Sequence, residues 1–196
     1  AETRWVRNTD TYNPAETTTI RVFNNYFGGS MGSLVFQTIR ESKALAYSTY
    51  GFYRIPTKKE DKYYMLSYVG AQADKFNEAV GAMNELLTTM PELPANFELA
   101  KEQLRKDIQT ERITQDNIIY DYLNAQQLGL KEDIRKSVYQ NVDKITFKDI
   151  QAFHDKYLSK KPYTYVILAS EKKLPKEELQ KIGEFKKLSL EELFGF

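Results

Sequence analysis

Apolar positions along the chain switch between two periods, and the switches mark its elements. Arg4 to Arg7 reads as the end of a strand, followed by the turn formers Asn8-Thr9-Asp10 and Asn13-Pro14. A helix start comes next. Asn13 is placed to cap it, Pro14 suits the first helical position because its missing N–H had no intrahelical acceptor, and Glu16 stands three residues on, where it can reach back. Ile20, Phe23 and Phe27 repeat at helical spacing, and Gly28-Gly29 reads as a left-handed C-cap. Ser30 then caps a second helix with Leu34, Val35 and Ile39 as its buried stripe. Gln37, Arg40 and Glu41 lie on its polar side, with Arg40 in the last turn.

From Ala46 to Ile55 and from Lys62 to Ala71 the chain is rich in Tyr, Phe, Val and Ser, with the polar segment Pro56 to Asp61 between. This predicts an antiparallel hairpin. Asp74 is the expected cap of a helix carrying Phe76, Val80, Met83, Leu87 and Met90, broken by Pro91 and Pro94. A long helical region follows. Phe97, Leu104 and Ile108 supply its buried stripe, which Ile118-Ile119 and Tyr122-Leu123 continue to about Gly129. Thr146 and Asp149 form a cap with its reciprocal acid ahead of Phe147, Ile150, Phe153, Tyr157 and Leu158. Tyr163 to Ala169, a continuous apolar run, reads as a buried strand. A short helix is expected from Pro175, and a final turn near Leu190 to Phe194. Strands and helices in this order predict an α+β fold, an antiparallel sheet with helices packed on one face, rather than βαβ alternation.

Composition narrows what such a fold can do. The 28 basic and 27 acidic residues leave a net charge of +1, too weak a field to hold nucleic acid or an anionic bilayer by charge alone. Neither is an expected partner. No apolar run approaches the roughly 20 residues that span a bilayer, and the first residues lack a signal-peptide layout. A soluble chain of unknown compartment is expected. At 196 residues, 41% of them apolar, it can bury a large core as one domain, residues 1–196, without disulfides. The absence of cysteine excludes thiol chemistry. The chain begins with Ala rather than Met, which suggests a processed protein or a piece of a longer one.

Candidate chemistry is sparse. A zinc hydrolase site needs three or four ligands, mostly His, Cys or carboxylate, and His154 is the only histidine. It lies within an amphipathic helix beside Phe153, the setting of a structural histidine. The glycine-rich stretch Gly28 to Ser33 matches neither phosphate-binding spacing and follows a helix, so it reads as a helix-to-helix turn. Acids interleave the lysines between Lys156 and Lys187, which makes a solvated face.

One constellation stands apart. The run from Asn25-Tyr26-Phe27-Gly28-Gly29-Ser30 through Leu34 and Ile39-Arg40-Glu41 to Leu45-Ala46-Tyr47 resembles the C-terminal domain signature of the pitrilysin/insulinase zinc metallopeptidases. The hairpin after Tyr47 and the late helix Phe147 to His154 agree with that order, so the resemblance extends over nearly the whole chain. It implies that Arg40 hydrogen-bonds a peptide carbonyl and that Tyr47 donates to the scissile carbonyl or oxyanion. It also implies that zinc, water and general base sit on a homologous N-terminal domain or half of a longer parent. The zinc motif H-x-x-E-H cannot be assembled here, so the chain alone is expected to bind no metal and to cleave nothing. The expected function is that of a substrate-handling domain of a chambered endopeptidase. A non-catalytic scaffold of the same fold is the first alternative, and a peptide-binding module using a sheet edge is the second.

Overall fold

The computed structural model describes residues 1–195. Four antiparallel strands, β1 (Glu2–Thr11), β2 (Ser48–Arg54), β3 (Lys62–Gly70) and β4 (Thr164–Leu168), form a sheet in the order β2-β3-β1-β4. Side chains alternate across it with the period of two that pleating imposes. Thr3 and Trp5 of β1, Thr49, Gly51 and Tyr53 of β2, and Tyr63, Met65, Ser67 and Val69 of β3 point into the core. Their neighbours on the opposite face stay partly or fully exposed.

The helices α1 (Thr17–Phe27), α2 (Phe76–Thr88), α3 (Pro94–Thr110), α5 (Ile134–Asn141) and α6 (Phe147–Tyr157) supply the rest of the core. In α1 the buried residues Ile20, Val22, Phe23, Tyr26 and Phe27 make one stripe. Phe23 stacks on Phe27 at 5.1 Å and meets Phe153 of α6 at 5.0 Å. Trp5 is fully buried and donates its indole N–H to Asn84 of α2 at 2.8 Å, tying β1 to that helix. Tyrosines fill the core with their polar ends satisfied: Tyr63 exchanges hydrogen bonds with the Asn13 backbone, and Tyr53 bonds Thr9. Burial pushes the Tyr63 phenol up to about 12.

Several expectations hold residue by residue. The hairpin pairs Ser48 with Gly70 through to Arg54 with Tyr64. Thr146 and Asp149 form the reciprocal capping box of α6, and short helices α7 (Lys176–Gln180) and α8 (Leu190–Phe194) close the order.

Others are corrected. Asn8 to Asp10 lie inside β1, where a register irregularity between Asn8 and Thr11 accommodates them. Asn13 caps a short 3₁₀ turn, Pro14–Glu16, rather than α1, and Glu16 turns instead to the Tyr157 hydroxyl at 3.0 Å. Asp74 lies within a 3₁₀ turn and makes no cap bond to α2. Ser30 does not cap a helix either; its carbonyl accepts from the Ser33 N–H and hydroxyl in the connecting turn. The long helical region is two helices, α3 and α4 (Gln115–Gln127), with α5 after them. Arg135 of α5 pairs with Glu111 at the end of α3, Asp121 in the middle of α4 and Asp133 at the start of α5, and so ties the three together. The apolar residues of α4 do not extend the core: Ile118, Ile119, Tyr122 and Leu123 are exposed. β4 is an edge strand, with Val166 and Leu168 exposed on the open face.

Gly28 and Gly29 do not adopt left-handed backbone conformations; only Gly129 and Gly195 do among the described glycines. Their reason is room. A Cβ on Gly28 would lie 2.3 Å from the Gly51 nitrogen, because the end of α1 presses directly on β2. Gly28→Ala is therefore expected to destabilise the chain by about 1–3 kcal/mol or more, as overpacked cores do. Gly81→Ala, in α2 with nothing within 4 Å of the new methyl, should stabilise it by about 0.5–1 kcal/mol. Urea midpoints at constant m-value check both.

Candidate functional site

Arg40 and Tyr47 are set by the connection between α1 and β2. Leu34 and Val35 begin a helical turn that widens over Phe36–Ser42 into a π-helix, with Lys43 N–H bonded to Thr38 C=O five residues back at 3.1 Å. Such turns are rare and frequently occur at functional sites. Leu34, Val35 and Ile39 face the core, which leaves Arg40 and Glu41 exposed. The Arg40 guanidinium lies 4.8 Å from the Phe36 ring centroid, and its Nε is 3.7 Å from the Glu41 carboxylate.

The turn ends at Ala44, whose φ of 48° is left-handed, a conformation that costs a residue with a Cβ roughly 1–2 kcal/mol. Leu45 then re-enters the core, its N–H bonded to Ile39 C=O at 2.9 Å. Tyr47 N–H reaches Gly70 C=O at 2.9 Å and starts the pairing with β3. The Tyr47 side chain is 88% exposed, and its hydroxyl makes no hydrogen bond among the described residues. It borders an open cavity of about 540 Å³ with Glu2, Tyr68 and Lys75. Arg40 does not line that cavity, and no hydrogen bond or ring contact joins the two side chains among the described residues.

Beside Tyr47 runs a strip that the sequence reading did not single out. On the open sheet face Tyr50 stacks on Tyr68 at 5.0 Å, Arg4 lies 5.0 Å from the Tyr68 ring, and Arg54 lies 4.7 Å from Phe52. The signal was available in the alternation Tyr50, Phe52, Arg54, which puts every second residue on one face.

His154 is fully buried, with Nε2 3.0 Å from Leu86 C=O and Nδ1 without a hydrogen-bond partner, 3.7 Å from the Asp155 carboxylate. Among the described residues no three His, Cys, Asp or Glu side chains come together to hold a metal. The described residues therefore offer no ligand set that would fit a zinc ion.

Residues 5–104, which include both candidate side chains, match the family model described as the peptidase M16 inactive domain. The chain belongs to the peptidase M16 family. It is 34% identical over 87 residues to the uncharacterized zinc protease YmxG of Bacillus subtilis (strain 168), covering 43% of this chain and 20% of that protein. The chain thus spans about a fifth of that relative's length. The inactive peptidase domain of a putative zinc protease from Bordetella parapertussis superposes with a TM-score of 0.68 at 13% identity, over 84% of this chain and 90% of that one. The peptidase M16 inactive domain from Pseudomonas fluorescens gives 0.66 at 14% identity, over 84% and 39%. At those identities the structures establish the α+β fold. This M16 domain has no described helix long and apolar enough to cross a membrane.

Burial holds the His154 imidazole below its ordinary pKa, because the charged form would lose its water. The unfolded chain therefore takes up this proton first as pH falls through about 6.5. Stability present at neutral pH should decline between about pH 7 and 5.5, above the range where carboxylates titrate. Thermal midpoints should show this decline in the parent sequence and a flatter profile in His154→Gln.

Proposed function

We propose that this domain handles substrate for a zinc endopeptidase whose metal, water and general base are carried by a homologous N-terminal domain of a longer parent. Residues 1–196 would be one domain of that parent, and the substrate a peptide. The observation that carries the reading is Tyr47, an 88% exposed phenol with no partner among the described residues. The core tyrosines offer a contrast, since Tyr26, Tyr53 and Tyr63 all place their hydroxyls on the protein itself.

Tyr47 can donate to a peptide carbonyl, and that bond strengthens as negative charge develops on the oxygen. Arg40, exposed on the preceding turn, offers several coplanar donors to the carbonyls of an extended peptide. Its neighbour Glu41, at 3.7 Å, is not in bidentate contact with it and leaves donors available. The M16 match and the relative named a zinc protease support zinc in the parent. The lack of a metal-holding group among the described residues suits a domain that receives the substrate while another domain binds the metal.

A scaffold reading shares the missing ligands but gives Tyr47 no task, so Tyr47 separates the two. In the zinc-loaded parent, Tyr47→Phe should lower kcat about 100-fold, the scale for losing one oxyanion donor, with the thermal midpoint unchanged. Arg40→Ala should act mainly on KM. Unaltered kcat in Tyr47→Phe would leave the scaffold reading standing. The isolated chain should carry no stoichiometric zinc and hydrolyse no peptide, and turnover with bound metal would refute the division between domains.

A further inference from the structure

An antiparallel sheet with one covered face commonly turns polar residues to the other, and this sheet does not. The register of β2 on β3 sets their outward residues side by side in rows. Tyr50 and Tyr68 make one row, Phe52 and Leu66 the next, and Arg54 and Tyr64 the third. All six reach solvent, Tyr64 with 37% of its surface. Apolar fields of this kind, rimmed by polar residues, mark binding surfaces.

Two guanidinium groups border the field, and they differ. Arg4 lies over Tyr68 and is already paired with Glu2 at 3.3 Å. Arg54 lies over Phe52, and its guanidinium has no ion pair or hydrogen bond among the described residues. At the other end the strip opens on the cavity of about 540 Å³ that Tyr47 borders, since Tyr68 lines it too. A chain lying against Tyr47 therefore continues onto the rows. An extended peptide shows every second side chain to one face, at the same two-residue repeat as the strands beneath it. Run along β2 and β3, it places one alternate side chain on each row.

We propose that this face receives the flank of the peptide and selects the pattern apolar-x-apolar-x-acid, read outward from Tyr47. The first apolar side chain sits on Tyr50 and Tyr68, the second on Phe52 and Leu66, and the carboxylate on Arg54. An aromatic side chain stacks on the first row, and the guanidinium fork holds the carboxylate. This selection rests on the reading that a peptide passes Tyr47, and adds which side chains that peptide carries.

Fluorescence anisotropy of labelled peptides added to the 196-residue chain tests it without zinc or turnover, with thermal melts as the folding control. Ser-Phe-Ser-Phe-Ser-Asp and its reverse present both chain directions. One of them should bind at least about tenfold tighter than Phe-Phe-Ser-Ser-Ser-Asp, whose adjacent rings cannot both face the rows. Lys in place of Asp should weaken binding about threefold, the scale of an exposed ion pair, and Arg54→Glu should reverse that preference. Tyr50→Ser should weaken binding at least about fivefold, as the loss of an aromatic anchor does. No binding, or equal binding of patterned and scrambled peptides, overturns the proposal, as does an Asp preference that survives Arg54→Glu. A dimer in sedimentation velocity that Tyr50→Ser dissociates would assign the face to a second copy and overturn it as well. None of these readouts uses kcat, so this selection and the role of Tyr47 fail separately.

Discussion

The approach of α1 to β2 is the contact on which the remaining arrangement depends. Helix and strand come within bonding distance of each other's backbone only because both positions lack side chains: a Cβ on Gly28 would collide with the Gly51 backbone, and one on Gly51 with the Phe27 ring. Asn24, one turn earlier, completes the seam by bonding both backbone groups of Tyr53. A polar side chain thus satisfies strand groups that a neighbouring strand would otherwise take, which is the accounting that buried backbone requires. Since α1 ends at this seam, the Gly28 to Ser33 turn starts from a fixed point, and the π-helical turn behind it inherits that position.

How far the fold was legible follows from which signals are local. The Thr146–Asp149 box needs only four residues and occurs as written. The hairpin follows from alternation, which the pleat enforces. Gly28 misleads because a glycine after a helix has two physical uses, a left-handed residue or a close approach, and only the partner Gly51, twenty-three residues on, tells them apart. Glu16 misleads for a related reason: its reciprocal cap competes with Tyr157, a distant hydroxyl that sequence spacing does not bring near. Apolar residues in α4 follow helical spacing without a layer to cover them, and periodicity cannot report the absence of a partner.

For the proposed site, the signature nominates Arg40 and Tyr47 but says nothing of their setting. Arg40 and Tyr47 were recognisable from the signature around them, whereas the strip of Tyr50, Tyr68, Phe52, Arg4 and Arg54 arises from strand pairing. Arg4 meets Tyr68 because β1 lies beside β3 in the register that pairs those two residues. Pairing between distant segments is what a single sequence does not record. The strip also explains how an open sheet face rich in aromatic rings stays in water: guanidinium groups lie over the rings and keep their own hydration.

The segment between Arg40 and Tyr47 shows how exposure is held in place. An exposed side chain on a slack loop would sample many positions, and fixing it on binding would cost conformational entropy. Here the backbone is over-determined. Ile39 and Leu45 are buried on either side of the left-handed Ala44, the Leu45 N–H returns to Ile39, and Tyr47 N–H is anchored on Gly70. The strain at Ala44, on the order of 1–2 kcal/mol, is offset by burying Leu45, whose side chain contributes about 1.5–3 kcal/mol when removed from water. The left-handed residue reverses the chain quickly enough for Arg40 to stay on the last turn while Tyr47 starts the strand. Both side chains therefore leave the protein from backbone that is already ordered, so a ligand meeting them has only their rotamers to fix.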